Sequence, residues 1–85
     1  MEKVEIFWRD GCGFCSRVQS LFTMKGVQYE SYNIWESEEH ANLMKTRLPN
    51  ATTVPQVFIN GKHLGGCDDV MKLEQSGKLD KLLGI

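Results

Sequence analysis

Near the start of the chain, Val4-Glu5-Ile6-Phe7-Trp8 is β-branched or aromatic at four of five positions and predicts a strand. Arg9-Asp10-Gly11 forms the loop after it. From Phe14 the apolar positions switch to helical spacing, with Val18, Leu21 and Phe22 on one stripe; Lys25 supplies a basic last turn and Gly26 a stop. Val27 to Ile34 alternates unevenly through Val27, Tyr29, Tyr32 and Ile34, and predicts a second strand. Glu36, Glu38 and Glu39 crowd the start of a second helix while Lys45 and Arg47 sit near its end, the charge order a helix dipole favours. Ala41, Met44 and Leu48 give that helix its buried face, and Pro49 stops it.

The second half of the chain changes pattern. Thr52-Thr53-Val54-Pro55 is an extended entry to Gln56-Val57-Phe58-Ile59, Asn60-Gly61 is a favoured hairpin pair, and Lys62-His63-Leu64 is the return strand. Gly65-Gly66 breaks that strand. Cys67-Asp68-Asp69 opens a third helix with Asp68 as its expected N-cap, and Val70, Met71 and Leu73 face inward. Gly77 interrupts, and Leu79, Leu82 and Leu83 close the chain as a last amphipathic turn or two. The order β-α-β-α-β-β-α predicts an α/β fold. Strands one and two, joined through a helix, are expected parallel with a right-handed crossover, and strands three and four antiparallel. The result is a mixed four-stranded sheet flanked by helices.

Composition narrows the class without choosing a function. Residues 1–85 are expected to form a single domain. A net charge of −1 provides no electrostatic footprint for nucleic acid or an anionic membrane. No apolar run approaches the ~20 residues of a membrane span, and the N-terminal stretch does not read as a signal peptide. Three cysteines are an odd number and do not make a secreted disulfide framework, so a reducing cytoplasm is the expected location.

The chemistry concentrates at Cys12-Gly13-Phe14-Cys15, where a strand ends and a helix begins. An unperturbed thiol has a pKa near ~8.5, leaving only about 3% thiolate at pH 7. A helix N-terminus stabilises an anion by roughly 0.3–1 kcal/mol, up to ~2 when partly buried. Arg9, three residues upstream, and N–H···S bonds from the turn add to this, and together they favour the Cys12 thiolate. Cys15 lies almost a turn further in, where burial favours the neutral thiol. Cys12 is therefore the expected nucleophile and Cys15 the resolving thiol. Asp10 opposes ionisation of Cys12 if it lies close.

Three stretches in order, the Cys12–Cys15 motif after the first strand, Thr53-Val54-Pro55, and Gly65-Gly66-Cys67-Asp68-Asp69, resemble the glutaredoxin family nearly end to end. The resemblance implies a thioredoxin-like fold and a cis peptide before Pro55. It also implies a glutathione site that includes Thr53, Val54, Pro55 and Asp69, with main-chain groups of Val54 pairing with the cysteinyl part. Gly66, Cys67 and Asp68 hold the γ-glutamyl end, Arg47 meets the glycyl carboxylate, and Phe14 packs alongside. These roles suit the ligand chemically: a helix N-terminus suits a carboxylate, Asp68 an ammonium, and an open strand edge a peptide backbone. Two departures stand out. Gly13-Phe14 replaces the Pro-Tyr common in dithiol members, and Arg9 holds the place usually given to lysine. Gly-Phe is similar to the monothiol, cluster-carrying branch, but Cys15 stands where that branch has serine.

The implied activity is glutathione-dependent reduction of protein disulfides and glutathione mixed disulfides, by a monomer. The alternative is a carrier in which two chains and two glutathiones ligate a 2Fe–2S cluster through each Cys12, with a dimer only in that state. A thioredoxin-like protein served by a flavoprotein reductase is opposed by the Gly65–Asp69 segment. A zinc half-site at Cys12 and Cys15 needs two more ligands, and Cys67, His40 and His63 are not paired in spacing. Cys67 reads as a small residue at a helix start, His40 and His63 as solvated bystanders, and Trp8, Trp35 and the four methionines as packing.

Overall fold

Eight elements follow one another in the computed structural model, which describes residues 2–85. They are β1 (Val4–Trp8), α1 (Gly13–Met24), β2 (Glu30–Asn33), α2 (Glu38–Arg47), β3 (Gln56–Ile59), β4 (Lys62–Gly65), α3 (Cys67–Gln75) and α4 (Lys78–Leu83). The strands form one mixed sheet in the order β2-β1-β3-β4. β1 pairs parallel with β2, Phe7 opposite Tyr32, and antiparallel with β3, Ile6 opposite Val57. β3 and β4 form the antiparallel hairpin that Asn60-Gly61 predicts, with both residues at positive φ. The predicted α/β architecture is therefore the observed one.

The pleat of β1 divides the core. Val4 and Ile6 join Val57 and Ile59 of β3 on one face, where Val18 and Phe22 of α1, Val70 of α3 and Leu79 and Leu83 of α4 cover them. Glu5 and Phe7 point to the other face, where Phe7, Phe58 and Met44 of α2 form a smaller cluster. Glu5, the one charged residue of the predicted strand, is only 2% exposed and needs a partner there. Arg47 supplies it, with two donors each 3.0 Å from a Glu5 oxygen and its guanidinium over the Phe7 and Phe58 rings. Tyr32 adds a hydroxyl donor at 2.8 Å. The hydrogen bonds from Arg47 outweigh the burial that opposes them and hold the Glu5 carboxyl below the usual carboxylate range. Burial, then Glu30 and Glu5, push the Tyr32 phenol above its ordinary range.

Several local expectations change. β2 is limited to Glu30–Asn33, because Val27 instead closes the end of α1 through its N–H to the Phe22 carbonyl, and Tyr29 packs against Phe22. Phe14 is 60% exposed, so the inward stripe of α1 is Cys15, Val18 and Phe22. Gly66, not Asp68, is the N-cap of α3; the capping carboxylate comes from Asp69, which accepts the Gly66 N–H at 3.2 Å. Met44 is buried but Met24 and Trp35 are exposed, and Met1 lies outside the described residues.

The buried ion pair generates a stability prediction. Arg47→Met should cost about 1.5–3 kcal/mol at pH 7, the range for hydrogen bonds to a charged group. Glu5 has a folded pKa below its unfolded one, so its contribution is full above the unfolded value of about 4.3 and fades as pH falls through the folded one. Urea denaturation at several pH values should show the gap between wild type and variant closing in acid; a constant gap would count against the pair.

Candidate functional site

Helix α1 begins at a sulfur. Cys12 is its N-cap, in extended backbone conformation, and the Cys15 N–H lies 3.1 Å from Cys12 Sγ, the place a serine or aspartate oxygen normally takes. No acidic residue occupies the first turn of α1, so nothing of opposite effect competes with the N–H groups there. Cys12 and Cys15 are joined as a disulfide, their Cα atoms 5.2 Å apart. Cys15 is 1% exposed and Cys12 8%. The two sulfurs are thus unequal: one lies at the mouth of the helix, the other within the core face. Asp10 turns away to accept a hydrogen bond from the Asn33 amide at 3.2 Å, which gives its charge a partner outside the cysteine turn.

Cys12 Sγ also lies 3.8 Å from the Val54 carbonyl, 42 residues away in sequence. The Val54–Pro55 peptide is cis, as the resemblance implies, and Pro55 is buried while Thr53 is exposed. On the far side of this segment lies the start of α3. The two glycines there answer to close approaches. A Cβ on Gly65, which has φ +116°, would fall on the Asp69 carboxyl, and one on Gly66 would lie 3.3 Å from the Pro55 carbonyl. Larger residues would push α3 away from the Val54–Pro55 turn.

Two hollows meet at Thr53 and Val54. One, of about 470 Å³, is bordered by Phe14, Pro55, Gln56, His63 and the Gly65–Asp69 turn, whose first N–H groups have no acceptor inside the helix. The other, of about 350 Å³, is bordered by Arg9, Ile34, Met44, Lys45 and Ala51. The arrangement is an open trough along the Thr53–Val54 segment, acidic at Asp68 and Asp69 on one side and cationic at Arg9 and Lys45 on the other. Such a trough suits a short extended peptide carrying charges at both ends.

Of the residues singled out in the sequence, Phe14, Thr53, Val54, Pro55, Gly66, Cys67, Asp68 and Asp69 all border the larger hollow. Arg9 borders the smaller one and lies against the exposed Trp35 ring, its guanidinium 4.8 Å from the ring centroid. Arg47 is the exception. It follows Lys45 by two residues, a rotation of roughly 200° about the helix, so it faces the sheet and is committed to Glu5 while Lys45 faces the trough. Cys67 is a free thiol, 7% exposed, packed with Val70 and Val57.

Lys45, Gln56 and His63 also border the hollows and were not singled out as site residues from the sequence. The helical stripe Ala41, Met44, Lys45 could have flagged the first. Each histidine has a partner, His40 Nδ1 lying 3.1 Å from the Asn33 carbonyl and His63 Nε2 2.7 Å from Gln56 Oε1, and His63 is exposed as expected. Among the described residues, no group of three or more His, Cys, Asp or Glu side chains could hold a metal ion. A 2Fe–2S cluster on Cys12 would therefore draw further ligands from outside this chain. No helix among them is long and apolar enough to cross a membrane.

Comparison with known proteins agrees with this geometry. Residues 4–64 match the glutaredoxin family model. A probable glutaredoxin of Synechocystis is 41% identical over 81 residues, covering 95% of this chain and 92% of that protein. Glutaredoxin 3 of Escherichia coli is 40% identical over 83 residues, covering 98% and 99%. The crystal structure of a buckwheat glutaredoxin–glutathione complex superposes with a TM-score of 0.84 at 37% identity, over 98% of this chain and 77% of that one. With a cysteine capping the first helix, a cis proline facing it and these relatives spanning almost its whole length, the chain belongs to the glutaredoxin family.

Proposed function

We propose that this protein is a glutathione-dependent thiol–disulfide oxidoreductase in which Cys12 is the nucleophile and Cys15 the resolving thiol. The observation that carries the proposal is the placement of Cys12 Sγ at the N-terminus of α1, accepting from the Cys15 N–H and 3.8 Å from the carbonyl of Val54, a residue that borders both hollows. Glutathione has a carboxylate at one end, a carboxylate and an ammonium at the other, and two peptide groups between. The Val54 backbone can pair with the cysteinyl residue, bringing its sulfur to Cys12. The N–H groups at Cys67 and Asp68 suit the γ-glutamyl carboxylate and the Asp68 side chain its ammonium. Arg9 and Lys45 suit the glycyl carboxylate, Lys45 taking the part that Arg47 was expected to play. The glutathione bound in the buckwheat relative supports this reading.

In the forward reaction the Cys12 thiolate attacks the glutathione sulfur of a mixed disulfide. The new Cys12–glutathione disulfide forms as the substrate leaves as a thiolate and takes up a proton. A second glutathione thiolate then attacks that disulfide, releasing oxidised glutathione and restoring the Cys12 thiolate. With a protein disulfide, Cys15 attacks the mixed disulfide between Cys12 and the substrate. This expels the reduced protein and leaves the Cys12–Cys15 disulfide, which two glutathiones reduce. Phe14, exposed at the rim, offers an apolar surface to either partner.

In a coupled assay with a small glutathione mixed disulfide, Cys12→Ser should abolish turnover, whereas Cys15→Ser should retain it and lose only reduction of protein disulfides; an active Cys12→Ser would overturn the assignment. In the reduced protein, iodoacetamide at about pH 6 should label Cys12, whose sulfur accepts an N–H at the start of α1, faster than Cys15 or Cys67, as peptide mass spectrometry would show. Arg9→Glu and Lys45→Glu should each raise the KM for glutathione about three- to tenfold, with the difference shrinking at high salt as screening removes the charge attraction.

A further inference from the structure

Gln56 is 7% exposed, the first residue of β3 and the one directly after the cis proline. Its side chain is engaged at both ends. Its Nε2 donates to the Thr53 carbonyl at 3.0 Å and approaches Thr53 Oγ1 at 3.5 Å; its Oε1 lies 2.7 Å from His63 Nε2. The contacts fix each group's role. A carbonyl only accepts, so the nitrogen of the amide must face Thr53, and the oxygen then faces His63. An amide oxygen also only accepts, so His63 Nε2 must carry the proton. The His63 ring is held in turn against Phe58, the centroids 5.1 Å apart. The hairpin register brings it there: His63 stands opposite Phe58, and a bulge at Leu64 then restores pairing at Gly65 opposite Val57.

The consequence falls on the trough. The Thr53 carbonyl and the Val54 N–H belong to one planar trans peptide, so they point in opposite directions and move together. Holding the Thr53 oxygen on Gln56 aims the Val54 N–H the other way. Thr53 is exposed and Val54 lies in a segment outside any strand, so no ladder of hydrogen bonds sets this plane. The amide of Gln56 performs that task.

We infer that Gln56 and His63 are positioning residues, which together set the orientation of the Thr53–Val54 peptide so that its N–H meets the backbone of a γ-glutamyl thiol substrate. The inference rests on the proposed glutathione-dependent activity and adds to it two residues that need not touch the reacting sulfurs. Loss of the relay frees the peptide plane to rotate, which weakens substrate binding while leaving Cys12 and its helix cap intact.

The test is steady-state kinetics with a glutathione mixed disulfide on the full chain and three variants. Gln56→Met keeps shape without hydrogen-bonding groups, His63→Phe keeps a ring on Phe58 without the donor, and His63→Gln restores a donor. Gln56→Met should raise KM about fivefold and His63→Phe about threefold, as expected for one lost hydrogen bond at about 1.36 kcal/mol per tenfold. In both, kcat should stay within about twofold and the alkylation rate of Cys12 should be unchanged, while His63→Gln should return KM towards wild type. Wild-type KM in both Gln56→Met and His63→Phe would overturn the inference and leave the activity standing. So would a loss of Cys12 alkylation in step with KM, which marks a general structural defect. A wild-type protein with no glutathione-dependent turnover would overturn the activity and the inference together.

Discussion

A sulfur atom does the work of a capping oxygen in this protein, and the site is arranged about that substitution. The first N–H groups of any helix lack partners within it, and α1 offers one of them to Cys12 Sγ. The same contact that ends the loop after β1 therefore favours negative charge on Cys12, the residue proposed above as the nucleophile. Cys15, three residues on, supplies the N–H from its backbone while its own sulfur is buried with Val18 and Phe22. Two identical side chains are thereby placed in unequal surroundings by one helix start.

The rest of the trough is made by bringing two more chain segments to that sulfur. The Thr53–Pro55 turn faces it directly, and the N-terminus of α3 closes behind, admitted by two glycines whose side chains would otherwise collide with Asp69 or approach Pro55 too closely. Rigidity here comes from side chains as much as from strands. Asp69 reaches back to Gly66, Gln56 to Thr53, and Asn33 to Asp10, each fixing a loop by a hydrogen bond that spans three residues or joins distant ones. Beneath them, the Glu5–Arg47 pair ties α2 to the centre of the sheet and keeps the wall carrying Met44 and Lys45 against the strands. Site and core are thus joined through α2: one face of its last turns is buried on Glu5, the other borders the groove.

Strand and helix order, the cysteine pair at the first helix start, and the sharp Gly65-Gly66 break were legible because each depends on short-range rules: alternation, helical spacing, capping and turn chemistry. The Asn60-Gly61 hairpin belongs to the same group. Misplaced features share a different cause. Arg47 and Lys45 are both basic and both near the end of α2, and nothing local says which faces solvent and which neutralises a glutamate 42 residues away. His63 lies on an exposed strand, and its partner Gln56 is visible only once the hairpin register is known.

The sequence by itself determined where helices start and stop, that a cysteine sits at the first of those starts, and that the chain alternates into a mixed sheet, since these follow from residues within a turn or two of one another. Tertiary structure alone decided which cation lines the trough, that Asp10 is drawn off to Asn33, and that a buried glutamine holds the Thr53–Val54 peptide. Hydrogen bonds and ion pairs act over about 3 Å, and only folding brings groups from separate segments within that distance.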